Sequence, residues 1–258
     1  MIQKVTLVGA GNLATQLGKA LYKSGIDILQ VYSRTKSSAE LLAKQLGSQA
    51  TNELHELNMQ ADLYIFALKD DALERILKQI DVRGKFIVHT AGSLPMRILQ
   101  PYSDSYGVFY PLQTFSKQRD VAFEQIPMCL EAARPELLAE LKKLAERLSG
   151  KVEEISSAQR QSLHLAAVFT NNFVNHFYHL SHQIVKKYGV DFELLKPLIT
   201  ETAAKVMEID PFDAQTGPAK RFDEAIIQKH LNFLSDQPEL QEIYSFVSKS
   251  IFEAHKSK

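Results

Sequence analysis

Val5-Thr6-Leu7-Val8-Gly9-Ala10-Gly11-Asn12-Leu13-Ala14 decides how the chain begins to fold. Four residues suited to a buried strand run straight into Gly9-x-Gly11-x-x-Ala14, and Leu13, Leu17, Ala20 and Leu21 then recur at helical spacing. A strand, a glycine turn and a helix in that order make a cradle for a dinucleotide's pyrophosphate. One glycine permits the tight bend, and the next lets the backbone approach the phosphates. Small Ala14 lets the helix pack close to the strand, and the first N–H groups of the helix, from Asn12 and Leu13, face the anion. A glycine turn that merely joins strand to helix is the alternative. The context, after a strand and before a helix, favours the cradle.

Working outward, the second strand is Ile28–Tyr32, and the residues after it bear on the cofactor. An Asp or Glu there would accept hydrogen bonds from the adenine ribose and repel a 2′-phosphate. The chain has Ser33-Arg34-Thr35, followed by Lys36. Arg34 can stack on adenine or pair with phosphate, and the two hydroxyls add donors, so the pattern favours NADP over NAD, the alternative being a polar loop with an incidental Arg.

Ser37-x-x-Glu40 reads as a capping box for the next helix, and Gln49–Thr51 as a short strand. Leu63–Leu68 is a near-continuous apolar run suited to a buried parallel strand, with Asp70 or Asp71 expected to cap the helix after it. Phe86–His89 is another strand, running into Thr90-Ala91-Gly92-Ser93. Ligands of open α/β sheets bind beyond the carboxyl ends of the strands. Gly9 to Ala14, Ser33 to Lys36, Ala67-Leu68-Lys69 and His89-Thr90 through Ser93 all fall at that edge. Gly107–Phe109 then delivers Tyr110-Pro111-Leu112-Gln113-Thr114, where Tyr110, Gln113 and Thr114 offer uncharged hydrogen-bonding groups. A strand near Met128, a helix from Pro135 and a short edge strand at Val152 complete the half.

The second half is helical in pattern: a stretch around 161–185, then 192–207, 219–232 and 238–252. No residue from Gln161 to Val185 carries a formal charge. Four histidines and three asparagines in that run argue against a membrane span and for a helix buried in a bundle or a dimer. At 100° per residue, His164, Asn171, Asn175 and His182 fall within about 40° of one line, opposite an apolar side. Such a stripe lines a cleft or an interface. His176, His179 and His182 step by three but lack a carboxylate among them and rotate around the axis, so no metal is expected. Thr216-Gly217-Pro218 opens a helix with Arg221 and Asp223 expected to pair inside it; Arg221 is a candidate substrate contact.

Formal net charge is zero over 258 residues, so no electrostatic footprint suggests nucleic acid or an anionic membrane. The one cysteine, Cys129, lies in an apolar run and reads as a packed thiol. The chain starts directly with its first strand, without a leader pattern, which leads us to expect a cytoplasmic protein. The end, His255-Lys256-Ser257-Lys258, reads as a frayed terminus. The fold expected is α/β, a doubly wound and mostly parallel sheet over 1–153, followed by an all-α domain over 154–258 for substrate and dimerisation.

This order of parts resembles the superfamily that contains pyrroline-5-carboxylate reductase, 6-phosphogluconate dehydrogenase and ketopantoate reductase. It is most similar to a bacterial branch with a Rossmann-like NADP-binding domain and a C-terminal domain of unknown function. The segments carrying that likeness are His89-Thr90-Ala91-Gly92-Ser93, Tyr110-Pro111-Leu112-Gln113-Thr114-Phe115, His164-Leu165-Ala166-Ala167 with Asn171-Asn172, and Thr216-Gly217-Pro218 with Arg221 and Asp223. Better-known members often place a Lys, with Asn one turn on, where this chain has His164, Val168 and then Asn171.

The resemblance implies hydride transfer with a small carbonyl or imine substrate, in which His164 or His89 gives the proton and Asn171 orients the substrate. Ser93, Tyr110, Gln113, Thr114, Asn175 and Arg221 are then candidate substrate contacts. Gly9, Gly11, Asn12, Leu13, Ser33, Arg34, Thr35, Ala67, Leu68, Lys69 and Thr90 are the cofactor contacts. A homodimer is expected through the helical half. A non-catalytic NADP-binding sensor or scaffold, dimerising through the same half, is the alternative.

Overall fold

The computed structural model describes residues 1–256, and these divide into two compact units, one from Met1 to Asn172 and one from Phe173 onward. The first unit is built on one eight-stranded sheet in the order β3-β2-β1-β4-β5-β6-β7-β8. Its strands are β1 (Lys4–Val8), β2 (Asp27–Tyr32), β3 (Gln49–Thr51), β4 (Leu63–Phe66), β5 (Phe86–His89), β6 (Tyr106–Pro111), β7 (Met128–Ala132) and β8 (Val152–Glu154). All neighbours pair in parallel except β6 with β7, which run antiparallel from Gly107 opposite Ala132 to Pro111 opposite Met128. The strand order reverses between β1 and β4, so the order of the first six strands is that of a Rossmann sheet.

Period-two alternation explains how one run of apolar residues serves two faces. Leu63 and Ile65 of β4 join the core made with helices α1 (Asn12–Lys23), α2 (Lys36–Leu46) and α4 (Pro135–Glu146). Tyr64 and Phe66 face the other way and pack with helix α3 (Asp70–Leu77) and Leu99. Leu17, Leu21, Leu137 and Leu141 are completely buried, each contributing roughly 1.5–3 kcal/mol. Cys129 is buried in β7, and burial pushes its thiol upward, as a packed thiol requires.

Two expected caps are replaced. The first turn of α2 closes on the Thr35 carbonyl, which accepts from the N–H groups of Ser38 (3.0 Å) and Ala39 (3.2 Å). Ser37 therefore lies inside the helix and cannot cap it. Likewise α3 closes on Lys69, whose carbonyl accepts from the Ala72 N–H at 2.9 Å. Asp70 is left free to accept from the Ser93 hydroxyl. A reciprocal capping box does form, but at Ser156 and Gln159, where it starts α5 (Ser157–Ala167). The sheet ends at Glu154, while the first compact unit runs on to include α5.

After α5 the chain makes one π-helical turn, Val168–Phe173, before α6 (Val174–Lys187). The uncharged run is helical, as its pattern indicates, but a π turn is wider than an α turn. The constant 100° step behind the polar stripe therefore does not hold across 168–173.

The second unit consists of α6, α7 (Lys196–Glu208), α8 (Pro211–Ala214), α9 (Pro218–Arg221), α10 (Glu224–Phe233) and α11 (Pro238–Lys256). The helix expected over 219–232 is two helices, because Phe222 adopts a left-handed backbone (φ 53°) and its ring stacks on Phe252 with centroids 4.1 Å apart. Asp223 caps α10 by accepting from the Ile226 N–H at 3.3 Å, so it does not form the expected pair with Arg221. The last helix stays regular through Lys256, with His255 bridging the carbonyls of Ile251 (2.9 Å) and Phe212 (3.0 Å). Ser257 and Lys258 of the expected frayed end lie outside the described residues. No helix among the described residues is long and apolar enough to cross a membrane.

Candidate active site

The opening turn is shaped by how the first sheet strands end. The Gly9 N–H donates to the Tyr32 carbonyl at 2.8 Å, and the Ala67 N–H donates to that of Val8 at 2.9 Å. This ties the ends of β2, β1 and β4 at one edge. Gly9 sits at φ 128°, and a Cβ there would lie 2.2 Å from the Ala67 carbonyl oxygen. Gly11 is the opposite case: it is exposed, and a Cβ on it would meet nothing within 4 Å. Gly11 is the N-cap of α1, with no side-chain cap and no acidic residue in the first turn. The positive end of the helix dipole is thus open beside a glycine that leaves room for phosphate oxygens. The residues present fit a dinucleotide's pyrophosphate.

Other expected cofactor residues surround this turn. Asn12 is exposed, and Leu13 packs against the core. Ser33 is half-buried and accepts from the Thr35 N–H at 3.4 Å, while Arg34 and Thr35 are exposed. Arg34 is in no ion pair among the described residues. The ends of β4 and β5 add half-buried Ala67 and Leu68, exposed Lys69, and buried Thr90, whose N–H donates to the Phe66 carbonyl at 3.3 Å.

A cleft of about 330 Å³ lies at the C-terminal end of β6, between residues 110–114 and the helix at 163–172. Because β6 runs parallel to β5, that end belongs to the same sheet edge as the glycine turn. Tyr110, Gln113, Thr114, His164 and Asn171 all line the cleft. The Tyr110 hydroxyl is 3.2 Å from His164 Nδ1, and the rings meet edge to face. The imidazole rests on Gly92, where a Cβ would come within 2.5 Å of Nδ1. Any larger residue at 92 would displace the ring. Burial raises the Tyr110 phenol above its usual value, which keeps it protonated.

His89 is placed differently. It is 1% exposed, and its Nδ1 accepts from the Ala91 N–H at 3.1 Å, which puts the ring proton on Nε2, an atom without a well-aligned hydrogen-bond partner among the described residues. Burial, helped by the Arg160 charge and opposed by the Pro95 carbonyl, holds its pKa down at about 3. It is not among the residues lining the cleft. Ser93 is also outside the lining; its hydroxyl goes to Asp70 and its carbonyl accepts from Gln161 at 2.7 Å. Asn175 and Arg221 are exposed residues of the second unit.

Residues not singled out from the sequence include Thr170 in the cleft wall and a buried network around Arg160. Arg160 is fully buried and donates to Glu131 Oε2 at 2.5 Å and to the Leu94 carbonyl at 2.5 Å. The available signal was its place as a cation one helical turn before His164, at the edge of an uncharged run.

A dinucleotide cradle on a Rossmann sheet, with a titratable cleft at the same edge, defines the class of nicotinamide-dependent oxidoreductases. Comparison with known proteins makes this more particular. Residues 4–92 match the family described as NADP oxidoreductase, coenzyme F420-dependent, and residues 126–251 match a domain of unknown function, DUF2520. A Bacteroides fragilis protein with the provisional description NADP oxidoreductase has 51% identity, with 98% of each chain covered and a TM-score of 0.94. The chain belongs to that family, in which an NADP-binding Rossmann domain precedes a DUF2520 domain.

A Thermotoga maritima protein (23% identity, TM-score 0.82, covering 98% of this chain and 99% of that one) shares the fold. So does an imine reductase from Myxococcus stipitatus in complex with NADP+ (19% identity, TM-score 0.68, covering 98% and 94%). Glutamyl-tRNA reductases of Listeria monocytogenes match over 79 residues at 38% identity, 30% of this chain. The chain spans only 18% of the length of those curated relatives.

Proposed function

We propose that this protein is an NADPH-dependent reductase that converts a small, uncharged carbonyl or imine to the alcohol or amine, with His164 as the proton donor. The observation that carries the reading is the His164–Tyr110 contact inside a cleft whose lining holds no Lys, Arg, Asp or Glu. NADPH, when bound, supplies the hydride. The protein binds its pyrophosphate at Gly9 to Leu13 and its 2′-phosphate at Ser33, Arg34 and Thr35, and Ala67, Leu68, Lys69 and Thr90 flank the rest.

Tyr110, as a protonated phenol, donates to His164 Nδ1, so the imidazole proton resides on Nε2. Taking up a second proton makes the imidazolium, whose reference pKa lies near neutrality; it gives its Nε2 proton to the developing oxygen or nitrogen anion and returns to the neutral ring. Asn171, Gln113 and Thr114 hydrogen-bond the substrate and orient it. A substrate carboxylate would be costly here, because the cleft wall provides no full positive charge to pair with it. His89, neutral and enclosed, is a structural residue. Family membership supports turnover over the non-catalytic sensor reading.

The second unit supports a homodimer. Leu194 (71%), Leu198 (61%), Met207 (83%) and Phe246 (75%) are exposed, far beyond what a self-sufficient bundle leaves to solvent. An apolar cleft of about 320 Å³ beside Phe177, Leu180, Ile243 and Val247 adds to this surface. A second copy covers it.

The deciding experiment is a screen for NADPH oxidation against paired substrates with and without a carboxylate, such as a cyclic imine and its carboxylated counterpart. Turnover of the uncharged member, lost in His164→Ala, supports the assignment. NADPH binding without turnover on ketones, aldehydes or imines sinks it.

A further inference from the structure

Arg160 is the largest of the fully buried side chains among the described residues, with its side chain 0% exposed. Its guanidinium reaches three segments at once. It donates to Glu131 Oε2 on β7 at 2.5 Å, to the Leu94 carbonyl in the loop after β5 at 2.5 Å, and to Ser157 Oγ at 3.2 Å. The same carboxylate holds the start of α5. Ser157 donates its N–H to Glu131 Oε1 at 2.9 Å and its hydroxyl to Oε2 at 2.7 Å. Ser157 Oγ also accepts from the Met96 N–H at 2.9 Å. Gln161, on the next turn, donates to the Ser93 carbonyl at 2.7 Å.

The 93–96 loop continues directly from Gly92, the surface on which His164 rests. Arg160 and His164 are one helical turn apart, so they share a face of α5. An apolar contact would hold α5 against the sheet but leave it free to roll. A planar fork bonded to acceptors on separate segments sets the rotation of the helix about its axis. Replacing a buried ion pair by apolar residues is often no loss in stability, so stability alone is a weak account of this one.

We propose that Arg160, paired with Glu131, is the positioning residue for His164: a buried latch that sets the roll of α5 and the height of the 92–96 loop. It thereby fixes the imidazole against Tyr110 and Gly92. The proposal rests on His164 being the proton donor. Arg160 itself touches no substrate.

The test uses the full chain with NADPH bound and compares the wild type with Arg160→Met, Glu131→Gln and Ser157→Ala. NADPH affinity by fluorescence reports folding. The ¹⁵N spectrum of the His164 imidazole reports its tautomer, assigned by loss of the signal in His164→Asn. The wild type should show a single Nε2–H form. Arg160→Met should show averaged tautomers and a kcat lowered ~10–100-fold, with NADPH affinity unchanged. Glu131→Gln keeps the shape but turns an NH2 donor toward either the Ser157 N–H or the guanidinium, and should average the tautomers as Arg160→Met does.

If Arg160→Met does not fold, Ser157→Ala, which removes one point of the latch, should still give partial averaging. A folded Arg160→Met, or Ser157→Ala where that is the only folded variant, that keeps the wild-type tautomer and kcat overturns the latch. If His164→Ala leaves turnover intact, the proton-donor reading fails instead, and the imidazole spectrum still decides whether Arg160 positions the ring.

Discussion

His164 Nδ1 lies 3.2 Å from the Tyr110 hydroxyl, although 54 residues separate them in the chain. The pairing joins the end of a sheet strand to a helix beyond the sheet, and it makes the pair's effects separable by mutation. His164→Ala should lower kcat by ~10²–10⁴-fold with NADPH affinity unchanged. Tyr110→Phe should cost less, ~10-fold, because the ring stays in place and only its tautomer is released. Steady-state kinetics with NADPH titrations checks both.

The two glycines of the opening turn should fail in different ways. Gly9→Ala must place a Cβ 2.2 Å from the Ala67 carbonyl oxygen at φ 128°. It should destabilise the fold by at least ~1–3 kcal/mol. The Cβ of Gly11→Val meets open space, so the variant should lose only the N-cap preference, about 1 kcal/mol, while abolishing NADPH binding. Urea unfolding and fluorescence titration of the same preparations separate the two effects.

Arg34 is exposed at the end of β2, where a 2′-phosphate would lie. Arg34→Ala should weaken NADPH by ~10–100-fold, the value of charge-assisted hydrogen bonds, and NADH much less. Equal weakening of both cofactors would remove the 2′-phosphate assignment.

His89 should make the fold acid-sensitive. Its folded pKa is about 3, against roughly 6.5 in an unfolded chain. Between these values the unfolded chain binds a proton that the native one does not. Stability is therefore retained above pH 6.5 and falls as pH drops toward 3, by at most about 1.4 kcal/mol per pH unit from this group. His89→Asn keeps an acceptor for the Ala91 N–H and cannot titrate, so its denaturant-unfolding free energy should fall less steeply over that window. Its turnover should stay within ~3-fold of wild type, since His89 is outside the cleft.

If a second copy covers the helical unit, the protein should sediment at twice the chain mass at micromolar concentration. A charge at exposed apolar positions, as in Leu198→Glu with Phe246→Glu, should shift it toward monomer. Monomeric wild-type protein at those concentrations would count against the dimer.

The glycine turn, the strands of the first half and the NADP preference were legible because each is local. A period of two, a period near 3.6 and a glycine before a helix are set by neighbours in the chain. Five residues of the cleft were legible too: Tyr110 lies near the end of β6, Gln113 and Thr114 follow that strand, His164 lies in α5 and Asn171 in the π turn after it. Local pattern was not enough for the caps at Ser37 and Asp70, where the backbone closed the first turn one or two residues earlier than the side chains suggest. The π turn at Val168–Phe173 has no sequence period of its own, so a wheel drawn at 100° ran straight through it.

What the sequence by itself determined was the α/β plan and the cradle around Gly9 and Gly11. Tertiary structure alone set the two histidines in different surroundings. His89 and His164 have the same side chain and reference pKa, and only packing distinguishes them. Burial, helped by the nearby Arg160 charge, keeps His89 neutral, and His164 opens onto the cleft with Tyr110 at its Nδ1. Burial and the field of Arg160 are sums over residues distant in sequence, and no spacing along the chain encodes them.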